Sequence, residues 1–90
     1  MVLLESKLCD SIDASVKILD GYTSYGELVV EAQNSLKRLK EIINDPSPAG
    51  IEEGVKLSRK LNSMVGQYSS YVPRVALTIM NIMDWMQERA

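Results

Sequence analysis

Hydrophobic residues recur at helical spacing in four separate stretches of the chain. In the first stretch the steps between them are three or four residues, which places them on one face of a helix: Leu4, Leu8, Ile12, Val16 and Leu19. The three later stretches keep the same period, and polar residues fall on the opposite faces. No stretch of useful length alternates between apolar and polar residues with the period of two that is typical of a strand. The pattern therefore predicts an all-α protein.

Turn signals divide the chain into four predicted helices, at about residues 3–20, 25–44, 48–71 and 73–88. Ser24 stands three residues before Glu27, the spacing of a capping box at a helix start. Pro46 and Pro48 end the second helix, and Pro48 suits the first turn of the third. Pro73 either ends the third helix or kinks one long helix. Short connections between amphipathic helices predict an antiparallel up-down four-helix bundle, in a single domain that spans all 90 residues.

Two glycines lie inside the third predicted helix. Gly54 and Gly66 each cost about 1 kcal/mol relative to alanine in a helix interior. An interior glycine often marks the close approach of a neighbouring element, so we expect another helix near these positions.

The composition excludes most enzyme chemistry. The chain has no histidine and one cysteine, so it lacks the commonest general base and cannot form an intrachain disulfide or a cysteine-rich zinc site. Asp10 and Asp13 share a helix face, but no Glu-x-x-His pattern accompanies them, as a di-metal bundle site requires. No glycine-rich phosphate loop is present. We therefore expect a protein that is not an enzyme, with no catalytic residue, metal site or cofactor.

The charge is unevenly distributed. The net charge of −2 argues against binding to nucleic acid by phosphate neutralisation. Residues 1–34 carry two cations and six acids, whereas residues 35–90 carry eight cations and six acids. In a hairpin, six cations would meet near the Pro46–Pro48 turn, as a patch for an anionic partner or as an ordinary solvated face: Lys37, Arg38, Lys40, Lys56, Arg59 and Lys60.

The ends and the apolar runs carry a prediction about location. The first residues lack the charged and apolar regions of a signal peptide, and no apolar run approaches the ~18–20 residues that cross a bilayer. We expect a cytoplasmic protein without a transmembrane segment.

The fourth helix carries more apolar residues than one face can bury. Leu77, Met80 and Trp85 fall outside its main stripe. A helix that is apolar around much of its circumference is either central or docks against another chain. This surplus predicts a contact surface for another protein or for a second copy of this chain.

Four tyrosines are expected at one end of the bundle. Tyr22, Tyr25, Tyr68 and Tyr71 flank the first and third turns, either as a contact surface or as a plug of the core. The predicted partner-binding residues are thus Tyr68, Tyr71, Leu77, Met80 and Trp85. A third hypothesis, a bundle that holds a ligand, would need a cavity bordered by polar groups, and we do not expect a small-molecule ligand.

The C-terminal half resembles the needle and inner-rod proteins of type III secretion. Tyr68 and Tyr71 stand three positions apart, Asp84 follows later, and residues 44–48 form an Asn-Asp-Pro-Ser-Pro turn. The resemblance implies a helical hairpin that self-assembles into a secretion conduit through these three side chains. In its architecture alone the chain is also similar to cytosolic bacteriocin immunity proteins, which are four-helix bundles of about this length.

Overall fold

The computed structural model describes residues 2–66 and 70–90, and for residues 2–4 and 25 it describes the backbone alone. Its helices are α1 (Val2–Asp20), α2 (Glu27–Asn44), α3 (Pro48–Gly66) and α4 (Pro73–Arg89), with a short 3-10 turn at Thr23–Tyr25. The described residues contain no strand. The predicted all-α class and the four helices are confirmed.

The helices pack in a closed ring. Each one contacts the next, and α1 also contacts α4. The turns before α2 and before α4 therefore share one end of the bundle, which we call the tyrosine end. The turn between α2 and α3 lies at the other end, which we call the proline end. Glu5 and Arg89 meet there at 3.5 Å, as an antiparallel arrangement requires.

All four helices contribute to one hydrophobic core. Its most deeply buried side chains follow the predicted stripes: Ile12, Leu36, Leu39, Ile43, Leu61, Val75, Ile79, Ile82 and Met86. Burial of a large aliphatic side chain contributes about 1.5–3 kcal/mol, so this core is the main source of stability.

The helix starts differ in how they are capped. Ser47 Oγ accepts a hydrogen bond from the Gly50 amide at 3.0 Å, and Pro48 follows at the first helical position of α3, as predicted. The predicted capping box at Ser24 is wrong, because Ser24 lies in the 3-10 turn and α2 begins only at Glu27. Gly26 precedes it with φ 127°, a conformation that favours glycine, and supplies no side-chain cap.

Pro73 separates α3 from α4 instead of kinking one long helix. Ser70 and Tyr71 form a turn, and α4 begins at Pro73, where a missing amide hydrogen costs nothing. The predicted third helix extended to residue 71. Gly66 is the last described residue of α3, and residues 67–69 lie outside the described part of the chain.

Gly54 permits the close approach that the sequence predicts there. A Cβ atom at this position would lie 2.5 Å from Met86 Sδ and 2.6 Å from Met86 Cε. At Gly66 a Cβ atom would meet none of the described residues within 4 Å. The prediction is therefore confirmed for Gly54 and wrong for Gly66.

A buried polar side chain links α1 to α2 at the tyrosine end. Gln33 Nε2 donates to the Val16 carbonyl at 2.9 Å and to Asp20 Oδ1 at 2.6 Å. Both acceptors belong to the last two turns of α1, and the Val16 carbonyl takes the Gln33 bond in addition to its helical one, so these contacts join the end of α1 to α2 and fix the register of the two helices.

Candidate functional site

Two hydrophobic side chains stand on the outer face of α4. Leu77 is 58% exposed and Met80 57%, and residues three apart share a helix face. Asn81, Asp84 and Gln87 are also exposed farther along the helix. We call Leu77 and Met80 the α4 apolar patch. Its exposure agrees with the surplus apolar surface predicted for this helix.

Trp85 does not belong to that surface. Its side chain is only 3% exposed, so the prediction that it docks a partner is wrong for this chain. One turn later Arg89 reaches Glu5 of α1, which shows that this flank of α4 faces α1. The Arg89 guanidinium lies 3.8 Å from the centre of the indole ring, and its Nη1 donates to the Trp85 carbonyl at 3.1 Å. The core is wider around α4 than a single stripe suggests.

The predicted tyrosine cluster is described in part. Tyr22 is half-buried against the core, whereas Tyr71 is 72% exposed, and both lie at the tyrosine end. Tyr68 and the side chain of Tyr25 lie outside the described residues.

Two of the six cations in the predicted patch are paired with acids of other helices. Arg38 donates to both carboxylate oxygens of Glu53, at 2.7 and 2.8 Å. Lys40 Nζ donates to both oxygens of Asp13, at 2.8 and 2.9 Å. These contacts join α2 to α3 and α2 to α1, so they fix helix register instead of offering free positive charge.

The same contacts change the protonation equilibria of these groups. The hydrogen bond to Glu53 raises the pKa of Arg38, and the same bond lowers the pKa of Glu53. The bond to Asp13 raises the pKa of Lys40. All of these groups are solvated, so each pair contributes little to stability.

The six cations do not meet at one level of the bundle. Residue 38 lies opposite residue 53, and residue 50 approaches residue 42. Residues 56–60 therefore lie opposite about 31–36, beyond the level of Lys37 and Lys40. The hairpin brings Arg38 to an acid of α3, and the predicted single patch is divided.

Lys56 and Arg59 line a groove at the proline end and do not join the other cations of the predicted patch. At the proline end a groove of about 420 Å³ runs between α3 and the end of α4. It also includes Arg89 and Glu52, with Ile51 and Val55 between the charges, and Lys56 Nζ lies 3.7 Å from Glu52. Arg89 is not among the predicted cations, and it lies about thirty residues from Arg59 along the chain.

An apolar pocket of about 400 Å³, which the sequence did not predict, opens at the tyrosine end. Every helix or the turn beside it contributes to the lining, which consists of Leu19, Tyr22, Leu28, Val29, Ala32, Met64, Val65, Tyr71 and Val72. The only signal was the expected meeting of tyrosines at this end. The remaining lining residues belong to helical stripes that also predict ordinary core packing.

No site for metal chemistry is present in the part of the chain that the structure describes. It contains no cluster of three or more cysteine, aspartate and glutamate side chains that could hold an ion. Cys9 is buried, its Sγ lies 3.4 Å from Asn44 Oδ1, and burial raises the pKa of its thiol. A thiol that is held protonated is a poor nucleophile.

Two further findings bear on classification. Among the described residues, no helix is long and apolar enough to span a membrane. Comparison of the chain with family models, with curated proteins and with solved structures returns no match.

Proposed function

We propose that this chain is a non-enzymatic interaction module that binds another protein, or a second copy of itself, through the outer face of α4. The observation that carries the proposal is the exposure of Leu77 and Met80 by more than half on one helix face. The core face of α4 is filled separately by buried residues such as Val75 and Ile82. The fold does not need the α4 apolar patch, and burial of the patch against a partner would be favourable.

The surroundings of the patch also support binding. Exposed polar residues follow it on α4, among them Asn81 and Asp84, and a polar rim around an apolar centre is typical of protein interfaces. Tyr71 precedes the helix and is exposed, and tyrosine is enriched at interfaces. The single buried thiol of Cys9 favours a reducing compartment such as the cytoplasm.

The two alternatives that the sequence raised differ in how they would assemble. A subunit like the needle proteins of type III secretion would form open filaments, because its contacts are head-to-tail and do not close. The hypothesis of a bundle like the bacteriocin immunity proteins is supported by the four-helix architecture alone. The proposal in its general form requires only that the α4 apolar patch is the contact.

Mass measured by light scattering across a concentration series tests the proposal. We compare the unmodified chain with the double variant Leu77→Glu and Met80→Glu. The matched control is Asn34→Glu with Asn62→Glu, which adds the same charge to exposed positions of α2 and α3, away from the patch. A rise in mass that the patch variant loses and the control keeps supports self-association. A plateau at twice the monomer mass indicates a closed dimer, and continued growth indicates filaments.

If the chain stays monomeric, a pull-down with the same three proteins tests for a different partner. A binding protein retained by the unmodified chain and the control, but not by the patch variant, supports the proposal. Equal retention by all three proteins, or none by any, overturns it.

A further inference from the structure

The apolar pocket at the tyrosine end reaches from solvent into the core. Its floor is formed by buried residues, among them Leu19, Ala32 and Val65. Its rim is open, since Leu28 is 53% exposed and Tyr71 lies largely in solvent. A molecule in this pocket would contact core side chains on one side and bulk solvent on the other.

The chemistry of the lining restricts what the pocket can hold. None of its described lining residues carries a carboxylate, an ammonium or a guanidinium group. The only polar side chains among them are Tyr22 and Tyr71. A charged group on the core floor would lose its hydration without gaining an opposite charge, and bound water there would need about two to four polar contacts. The lining therefore favours a neutral and largely apolar occupant.

The volume sets the size of that occupant. About 400 Å³ lies within the usual range for small-molecule sites. It corresponds to about thirteen water molecules at roughly 30 Å³ each, and thus to a ligand of about that many non-hydrogen atoms.

We propose that the pocket is a binding site for a small, neutral, largely apolar molecule of about a dozen non-hydrogen atoms with one hydroxyl or carbonyl group. The polar group would lie at the rim beside the tyrosines, and the apolar part would lie on the core floor. Leu77 and Met80 do not line this pocket, so the proposal is independent of the α4 apolar patch.

Calorimetry with two ligands of equal chain length tests the chemical class. We expect 1-decanol to bind with one-to-one stoichiometry and to raise the melting temperature, because it binds the folded chain alone. Decanoate also has ten carbons but ends in a carboxylate, and we expect it to bind more weakly because none of the described lining residues offers it a positive charge. Methyl resonances of Val29, Val65 and Val72 should shift on addition of 1-decanol. Those of Ile51 and Val55, in the groove at the proline end, should not.

One rim variant and one control variant locate the site. Leu28→Ala removes an exposed wall of the pocket and should weaken 1-decanol binding by about tenfold. Val30→Ala is the control, because Val30 is 44% exposed on the same helix and does not line the pocket. Both side chains are partly exposed, so we expect both variants to fold.

Four results would each overturn the proposal. They are the absence of 1-decanol binding, equal binding of decanoate, an equal effect of the two variants, and shifts concentrated at the proline end. In the first case the pocket would be left for a side chain of a partner protein.

Discussion

Gly54 and Gly66 offer a matched test of how closely α3 and α4 approach. Both lie in α3, and both can be changed to alanine, but only Gly54 faces a neighbour. Replacing glycine by alanine inside a helix stabilises it by about 0.5–1 kcal/mol. At Gly66 no described residue opposes that gain. We expect Gly66→Ala to be more stable than the unmodified chain by up to about 1 kcal/mol, with less gain if the helix end frays.

At Gly54 the added methyl group meets a buried sulfur atom. Carbon contacts are most favourable at about 3.5–4.0 Å, so the 2.5 and 2.6 Å separations require Met86 to move by about 1 Å. Met86 is fully buried and has core atoms on all sides. Overpacking of this kind costs about 1–3 kcal/mol. Because the helix term favours both variants, Gly54→Ala should be less stable than Gly66→Ala by roughly that cost.

Urea unfolding measures the difference by two signals. Circular dichroism reports all four helices, and fluorescence reports the single buried Trp85. For a domain of this size the expected gap corresponds to at least about 4 °C in melting temperature. Met86→Ala should cost less in the Gly54→Ala background than alone, because the two changes compensate. Equal stability of the two alanine variants, or additive costs in the double variant, would refute the close packing.

Three further changes test the polar contacts. Gln33→Ala removes the side-chain hydrogen bonds to the Val16 carbonyl and to Asp20 and should cost about 0.5–1.5 kcal/mol, measured by urea unfolding; a variant as stable as the unmodified chain would contradict the buried link. Glu53→Gln should lower stability at pH 7. The lowered pKa of Glu53 means that its contribution is present above about pH 4.5 and disappears as pH falls through the folded-state pKa. The two proteins should therefore converge in acid, and a constant gap across pH would contradict the pairing with Arg38. Trp85→Phe should change the free energy of unfolding by no more than about 1 kcal/mol relative to the unmodified chain, because the indole N–H that it removes is buried and has no acceptor among the described residues. Trp85→Ala also removes the buried ring and should cost about 3–5 kcal/mol, measured by thermal unfolding.

The helices could be predicted from sequence because their signal is local. Ile12, Leu36, Leu61 and Ile79 each lie on a stripe with the helical period, and each is fully buried. The predicted start of α2 is less accurate, because the capping motif at Ser24 competes with the 3-10 turn, which is followed by Gly26 with a positive φ. A pattern of residue types does not show which of two local arrangements the chain adopts.

The surfaces could be predicted only in part, because they depend on contacts between distant residues. Leu77 and Met80 were correctly placed outside the core. Trp85 was not, since its burial depends on how α1 packs beside α4. The pairing of Arg38 with Glu53 depends in the same way on the register of α2 against α3. The burial of Trp85 and the pairing of Arg38 are set by how the helices pack together, and the sequence of a single helix does not contain that information.

Met80 and Met86 would respond differently to oxidants. Met80 stands in solvent, so a peroxide can convert it to the sulfoxide while the chain stays folded. The Met86 sulfur has no room even for a methyl group on Gly54, so an added oxygen does not fit there. Met86 can be oxidised only when α4 separates from α3, and the polar sulfoxide then opposes closure. The rate of Met86 oxidation would therefore report how often α4 separates from α3.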